Sequence, residues 1–346
     1  MRQQNKSIKT FLERRVRRNF LLLFLFLFLL CAIFLISMNT GYSRLSAADT
    51  LRTLFGGGNA KENLILFEFR LPRIVISMLA GTGLAISGCI IQGVSGNALA
   101  EPGLLGINAG AGLTIILYTL FLATDAFLSV VMLPFMALIG ASGAALLIYI
   151  LSYSKKEISS TRLILTGLAV QAGLTSLTTI LVVKLDERQY NFVQTWQAGS
   201  IWGSNWNFVL ALLPWILILI PYAMQKAGVL DAFLLGDETA ISLGVDVRRE
   251  KRKMLFTAVA LAASSVAVSG SIGFVGLLAP HLSRKLIGTK HAFLLPACGL
   301  SGALLVTIAD TIARTIMQPE EIPAGIVVAV IGAPYFLYLM ITEKSY

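Results

Sequence analysis

Apolar runs of about 20 residues recur along this chain, separated by short polar segments, and they constrain its fold more than any motif does. The first runs from Phe20 to Ser37. A helix of that length crosses the ~30 Å hydrocarbon core of a bilayer, and in lipid a helix satisfies its own backbone polar groups. Spans are expected at about 20–38, 73–94, 104–123, 127–151, 162–183, 207–225, 254–270, 272–288, 292–316 and 323–342. The 272–288 run is the shortest and weakest. Only 13% of the 346 residues are charged, against roughly a quarter in soluble domains, so there are too few charges to coat a soluble globule. The expected fold is an all-α polytopic membrane protein of about ten transmembrane helices. It has a cytoplasmic basic tail at 1–19, a single transmembrane domain at 20–342 and a cytoplasmic loop at 226–253. A disordered chain, a secreted disulfide scaffold and a soluble enzyme are excluded.

The basic head and the first run could open a signal peptide. The run is long for one, no small-x-small cleavage site follows, and Leu30 before Cys31 is wrong for a lipoprotein. It reads as an uncleaved first span. With the N-terminus inside and the spans alternating, 20 of the 28 Lys and Arg fall on the inner side, as the positive-inside rule expects. Both termini are then cytoplasmic, and the net charge of +10 is a topology signal. Basic residues do not alternate with aromatics, so the lipid bilayer, and no nucleic acid, is the expected surroundings.

No Gly-Lys-Ser/Thr is present, so any ATP-binding motor is another chain. No HExxH or Ser/His/Asp arrangement is visible. Cys31, Cys89 and Cys298 are scattered through apolar runs, and His281 and His291 have no Cys or Asp near them in sequence. No catalytic, cofactor or metal residues are expected; the chain reads as a pore or permease. Glycines cluster in the second span and at the start of the third. Close helix packing and helices that shift during transport both remain open for them. Gln92 to Leu105 is polar and broken by Gly and Pro at an inner helix end, which is tolerated where backbone is buried or lines a cavity; Glu101 there has no obvious base. Trp196, Trp202 and Trp206 mark a membrane–water interface, and a short surface helix is expected over Ser46–Phe55. In the 226–253 loop, Gly236 to Gly244 reads as a short helix: Asp237 and Glu238 suit its first turn and Gly244 its stop. It is either a solvated linker or a docking helix. Leu84–Ile90 echoes Val266–Ile272, in the manner of an inverted repeat.

Several stretches carry a closer resemblance. They are Arg70-Leu-Pro-Arg73, Leu84–Gly88 with Gln92, Asn97–Gly106, Gly236–Gly244, Gly270–Arg284, Ala309–Arg314, Glu321–Gly325 and Gly332–Pro334. From about residue 65 onward the chain resembles the FecCD family, permease subunits of type II ABC importers for ferric siderophores, haem and vitamin B12. It departs at Ala98, where the family usually has Pro. The resemblance implies a dimer, homo- or heteromeric, with a central path; two cytoplasmic ATPase subunits, which bind the ATP; and an external substrate-binding protein. It implies ATPase coupling by Gly236, Asp237, Glu238, Ala240, Leu243 and Gly244. Cytoplasmic gates are implied at Asn97 and Leu99 and at Ser160 and Thr161. Arg70, Arg73 and Arg314 are implied to dock the binding protein; the alternative for these is interfacial snorkelling. A ferric siderophore is the favoured cargo, with haem or cobalamin as the alternative. A gradient-driven secondary transporter is the reading from another class, but such proteins need intramembrane ionisable groups, and only Asp310 lies near a span.

Overall fold

The computed structural model describes residues 2–41, 46–122, 126–152, 160–201, 203–318 and 320–342. Among these, every regular element is a helix. In chain order they are α1 (Arg2–Asn39), α2 (Ala47–Leu54), α3 (Ala60–Asn63), α4 (Leu71–Ser95), α5 (Ile107–Phe121), α6 (Ala126–Ser152), α7 (Ser160–Val182) and α8 (Glu187–Gln197). Then come α9 (Trp206–Gln225), α10 (Ala227–Phe233), α11 (Asp237–Ser242), α12 (Val247–Ser269), α13 (Val275–Ile287), α14 (His291–Ile316) and α15 (Ala324–Thr342). Among the described residues, seven helical stretches are long and apolar enough to cross a membrane.

The bundle is built around α4. It packs on α14, α12, α13 and α9, and it is buried from Ala80 to Gly93 apart from Thr82. Small residues make that approach possible. A side chain at Gly81 would collide with the carbonyl of Gly302 on α14, and one at Gly88 with the carbonyl of Gly276 on α13. Lipid offers no hydrophobic drive to assemble helices, so close backbone packing supplies the attraction. The outer helices turn apolar side chains outward: Phe24 and Phe28 on α1, Ile139 on α6, Ile180 on α7.

A π-helical turn, Leu64–Arg70, joins α3 to α4. Pro72 has no N–H and its ring crowds the carbonyl four residues back; a widened turn there relieves both. The surface helix expected near Ser46–Phe55 is α2, capped by a reciprocal Ser46–Asp49 box. The 226–253 loop is largely helical, holding α10, α11 and the first turns of α12.

Two expected spans are not continuous helices. Over 104–123 the α-helix begins only at Ile107, because Gly106 is left-handed (φ 67°) and a 3-10 turn, Pro102–Leu105, precedes it. Over 272–288 the helix is the 13-residue α13. At 1.5 Å per residue it is only about 20 Å long, short of the ~30 Å core. Gly270 and Phe274 break the chain before it, and Phe274 is the one non-glycine with positive φ among the described residues.

The two breaks meet inside the protein. Pro102 lies against Gly276, and the Glu101 carboxylate accepts a hydrogen bond from the Phe274 backbone. Gln92 donates to the Gly276 carbonyl at 3.4 Å and accepts from Arg284 at 3.2 Å. A second knot ties the ends of α8 and α12 to the start of α15. The Gly325 N–H donates to Gly199 O at 2.8 Å, and that of Ser271 to Trp196 O at 3.4 Å. Trp196 is buried and Trp206 donates to Phe67 O at 2.8 Å; Trp202 lies outside the described residues.

Candidate functional site

At the end of the bundle where α4 starts and α14 ends, five charged residues converge. Arg73 donates to Asp310 from Nε at 2.9 and 3.1 Å and from Nη2 at 2.8 Å, and Nη1 reaches Glu321 at 2.7 Å. Asp310 is 1% exposed. Arg314, one turn beyond Asp310, donates to Ser37 O at 2.6 Å and also to Ser37 Oγ. Arg70, aimed by the π turn, donates to Met38 O. Only Arg73 and Glu321 reach the surface, with side chains 12% and 32% exposed. The three arginines expected from sequence to dock a binding protein differ in their exposure. Arg70 and Arg314 are each 5% exposed and turn inward to hold the end of α1, while Arg73 keeps an accessible edge. Their sequence separation hid this, since carbonyl partners on α1 leave no pattern in a sequence.

At the opposite end, Asn97 and Leu99 lie on the break after α4. Asn97 Oδ1 accepts from Leu99 N at 2.9 Å, an Asx turn that holds the chain after the left-handed Gly96. Asn97 is half-buried and Leu99 is 39% exposed. Ser160 and Thr161 form the first turn of α7; their side chains, and all of Ser159, lie outside the described residues.

The same end carries the 236–244 segment. α11 starts after Gly236 (φ 92°) and stops at Gly244 (φ 83°). The Gly244 N–H donates to Ile241 O at 2.9 Å and that of Val245 to Ala240 O at 3.0 Å, a Schellman stop. Asp237 is gripped by Lys251 of α12 at 2.7 Å, while Glu238, Leu243 and Gly244 are exposed. Ala240 is fully buried. It is the foot on which α11 stands. The apolar side chains facing solvent are Leu234, Leu235, Ile241 and Leu243, from 46% to 63% exposed. Sequence reading found only Leu243; the others belong to the exposed side of the α10–α11 corner, which spacing alone did not show.

This corner is fastened to the bundle. Glu250 Oε2 lies 2.8 Å from Lys226 and Oε1 2.8 Å from Lys253. The Lys226 amine, then that of Lys253, holds the Glu250 carboxyl below its usual range, and the same carboxylate pushes the Lys226 amine up. Asp231 of α10 accepts from the backbone N–H of His291 at 2.8 Å and lies 2.7 Å from its Nδ1. It thus caps α14, whose far end carries Asp310. The fold also brings Cys89 and Cys298, apart in sequence, side by side between α4 and α14; both are free thiols. Among the described residues no cluster of His, Cys, Asp and Glu could hold a metal ion.

These features define a polytopic helical permease, with an exposed apolar patch at one end and a partly exposed charge cluster at the other. The chain belongs to the FecCD transport family, whose model matches residues 29–342, the permease subunits of type II ABC importers. It is a transporter component and not an enzyme, and its class works with ATPase subunits, a substrate-binding protein and a second permease subunit. It is 47% identical over 316 residues to the iron(3+)-hydroxamate import system permease protein FhuG of Bacillus subtilis (strain 168), covering 90% of this chain and 94% of that one. It is 43% identical over 327 residues to the Fe(3+)-citrate import system permease protein YfmE of the same organism, covering 94% and 96%. Among solved structures it matches a transporter assigned to the metal-chelate type of ABC transporter, in an inward-facing conformation. The TM-score is 0.81 at 30% identity, covering 93% of this chain and 99% of that one.

Proposed function

We propose that this chain moves a ferric siderophore across the cytoplasmic membrane as one half of a permease dimer, driven by ATP hydrolysis on two separate ATPase subunits. The observation that carries the cargo is the similarity, above 40% across nearly the whole chain, to permeases named for iron(3+)-hydroxamate and Fe(3+)-citrate. Haem or cobalamin is the alternative cargo. A gradient-driven carrier is disfavoured because Asp310 is already neutralised by Arg73 and is not free to bind a coupling ion.

Both termini are cytoplasmic in this reading, and the transmembrane domain runs over 20–342 with ten crossings. The turns at 270–273 before α13, where the Ile272 N–H donates to Gly270 O at 3.0 Å, are taken in this reading to complete the crossing together with the short α13. The exposed corner of Leu234, Leu235, Ile241 and Leu243, seated on Ala240 and stopped at Gly244, receives the ATPase. Asn97 and Leu99 form one part of the cytoplasmic gate in this reading, and Ser160 and Thr161 the other. Arg73 offers the charge for the binding protein, whose carboxylate competes with Glu321, and Arg70 and Arg314 brace it from beneath.

Uptake in cells deleted for this chain tests the cargo. Ferric hydroxamate accumulation should fall to background and return with the gene. Haem or cobalamin uptake falling while ferric hydroxamate uptake persists would reverse the choice.

A further inference from the structure

Between α6, α9 and α12, in the half of the bundle that holds the coupling corner, lies an open furrow of about 440 Å³. Its walls are apolar, with Leu138, Tyr149, Trp215, Leu255 and Val259 among them. Arg252 and Phe256 line it and also line the adjoining depression, where Tyr222, Arg249 and Lys253 gather. Arg249, Arg252, Lys253 and Phe256 are spaced three, four and seven apart, so they share one face of α12. Lys253 is bound to Glu250. The side chains of Arg249 and Arg252 make no ion pair or hydrogen bond among the described residues, and both are exposed.

We infer that this furrow is a binding site for an anionic phospholipid, with an acyl chain along the apolar wall and the headgroup phosphate on Arg249 and Arg252. Snorkelling alone would put arginines at a headgroup boundary. It does not account for a concave apolar channel that opens beneath two unpaired guanidinium groups. Basic pockets between transmembrane helices on the cytoplasmic side suit anionic headgroups, and arginine grips phosphate with two parallel donors. The site also adjoins the corner fastened by Lys226 and Glu250, so a bound lipid would steady the joint between motor and bundle. The choice of inner leaflet rests on the orientation proposed above. Lipid selectivity does not, so a failed selectivity test leaves that orientation standing.

Full-length protein in phosphatidylcholine nanodiscs containing brominated phosphatidylglycerol provides the test. Trp215 lines the furrow, and its emission is isolated as the difference from a Trp215→Phe variant. Brominated phosphatidylglycerol should quench it about tenfold more effectively than brominated phosphatidylcholine at equal content, given two cations at the headgroup. Arg249→Gln with Arg252→Gln should bring the two lipids level. Should that pair fail to fold, Ser142→Phe fills the furrow from an exposed position and should abolish the anionic preference with both arginines present. Equal quenching by the two lipids in the unaltered protein means ordinary annular lipid and overturns the site. So does selectivity that survives the arginine pair or Ser142→Phe. Quenching by neither lipid means that a protein surface covers the furrow, and it overturns the site as well.

Discussion

Arg73 grips Asp310 through both Nε and Nη2 at 2.8–3.1 Å, joining residues 237 positions apart at one end of α4 and α14. The carboxylate is 1% exposed, so the pair holds two buried helices together while its outer nitrogen remains available beside Glu321. A buried ion pair can be close to neutral against well-packed apolar residues, but removing one partner strands a charge, at a cost of about 3–5 kcal/mol. Arg73→Ala should destabilise the detergent-solubilised protein by about that much, seen as a lower thermal transition. Arg73→Met with Asp310→Leu should recover most of it. If Arg73→Ala leaves the transition unchanged and only weakens capture of the binding protein, Arg73 is a surface contact and not a clamp.

The glycine contacts are predicted to tolerate no side chain. At Gly88 a Cβ would meet backbone of α13, which cannot move aside as a flexible side chain can. Gly88→Val should cost at least the ~1–3 kcal/mol typical of overpacking and should reduce the folded fraction on gel filtration. Gly173 on α7 faces open space. Gly173→Ala should be neutral or stabilising by up to about 1 kcal/mol, since alanine gives up less backbone freedom in a helix.

At the coupling corner, Ile241→Asp with Leu243→Asp should abolish retention of the ATPase subunit on affinity purification, with membrane insertion unchanged. Both side chains are exposed, so the permease itself should keep its thermal transition. Ala240→Asp should act differently: it buries a charge under α11 and should lower the transition as well. Normal ATPase retention in the double variant would move the docking site elsewhere.

The joint at Glu250 carries a pH prediction. Its folded carboxyl is lowered by Lys226 and Lys253, so its contribution is present above the ordinary value of about 4.3 and is lost as pH falls through the folded value. Lys226 is raised, so its contribution is present below the ordinary lysine range of about 10.4 and is lost as pH rises through the folded value. The joint should therefore be intact across neutral pH and loosen in acid. Amide protection at 247–253, corrected for intrinsic exchange, should fall below about pH 4. Glu250→Gln should show reduced protection at neutral pH and little further acid change. Acid loosening of equal size in Glu250→Gln would assign it to other groups.

The membrane class was legible because apolar runs and sparse charge follow directly from the physics of lipid. The stop of α11 was legible too, since a left-handed glycine after a short helix is a local event. What stayed hidden depends on tertiary approach. The positive φ of Gly270 and Phe274 starts α13 late in a run that hydropathy reads only as short. Ala240 looks like a surface residue until α11 is laid on α12. Arg70 and Arg314 carry outward-looking charges in sequence, yet the carbonyls of Met38 and Ser37 take them inside.

The central claim, a ferric-chelate permease powered by partner ATPases, is tested most directly in proteoliposomes holding the complete importer with its binding protein outside. The measurement is accumulation of radiolabelled ferric hydroxamate, with ATP or a non-hydrolysable analogue on the ATPase side and with a protonophore present or absent. Accumulation should require hydrolysable ATP and be indifferent to the protonophore. Accumulation that proceeds without ATP and collapses with the protonophore would contradict the account.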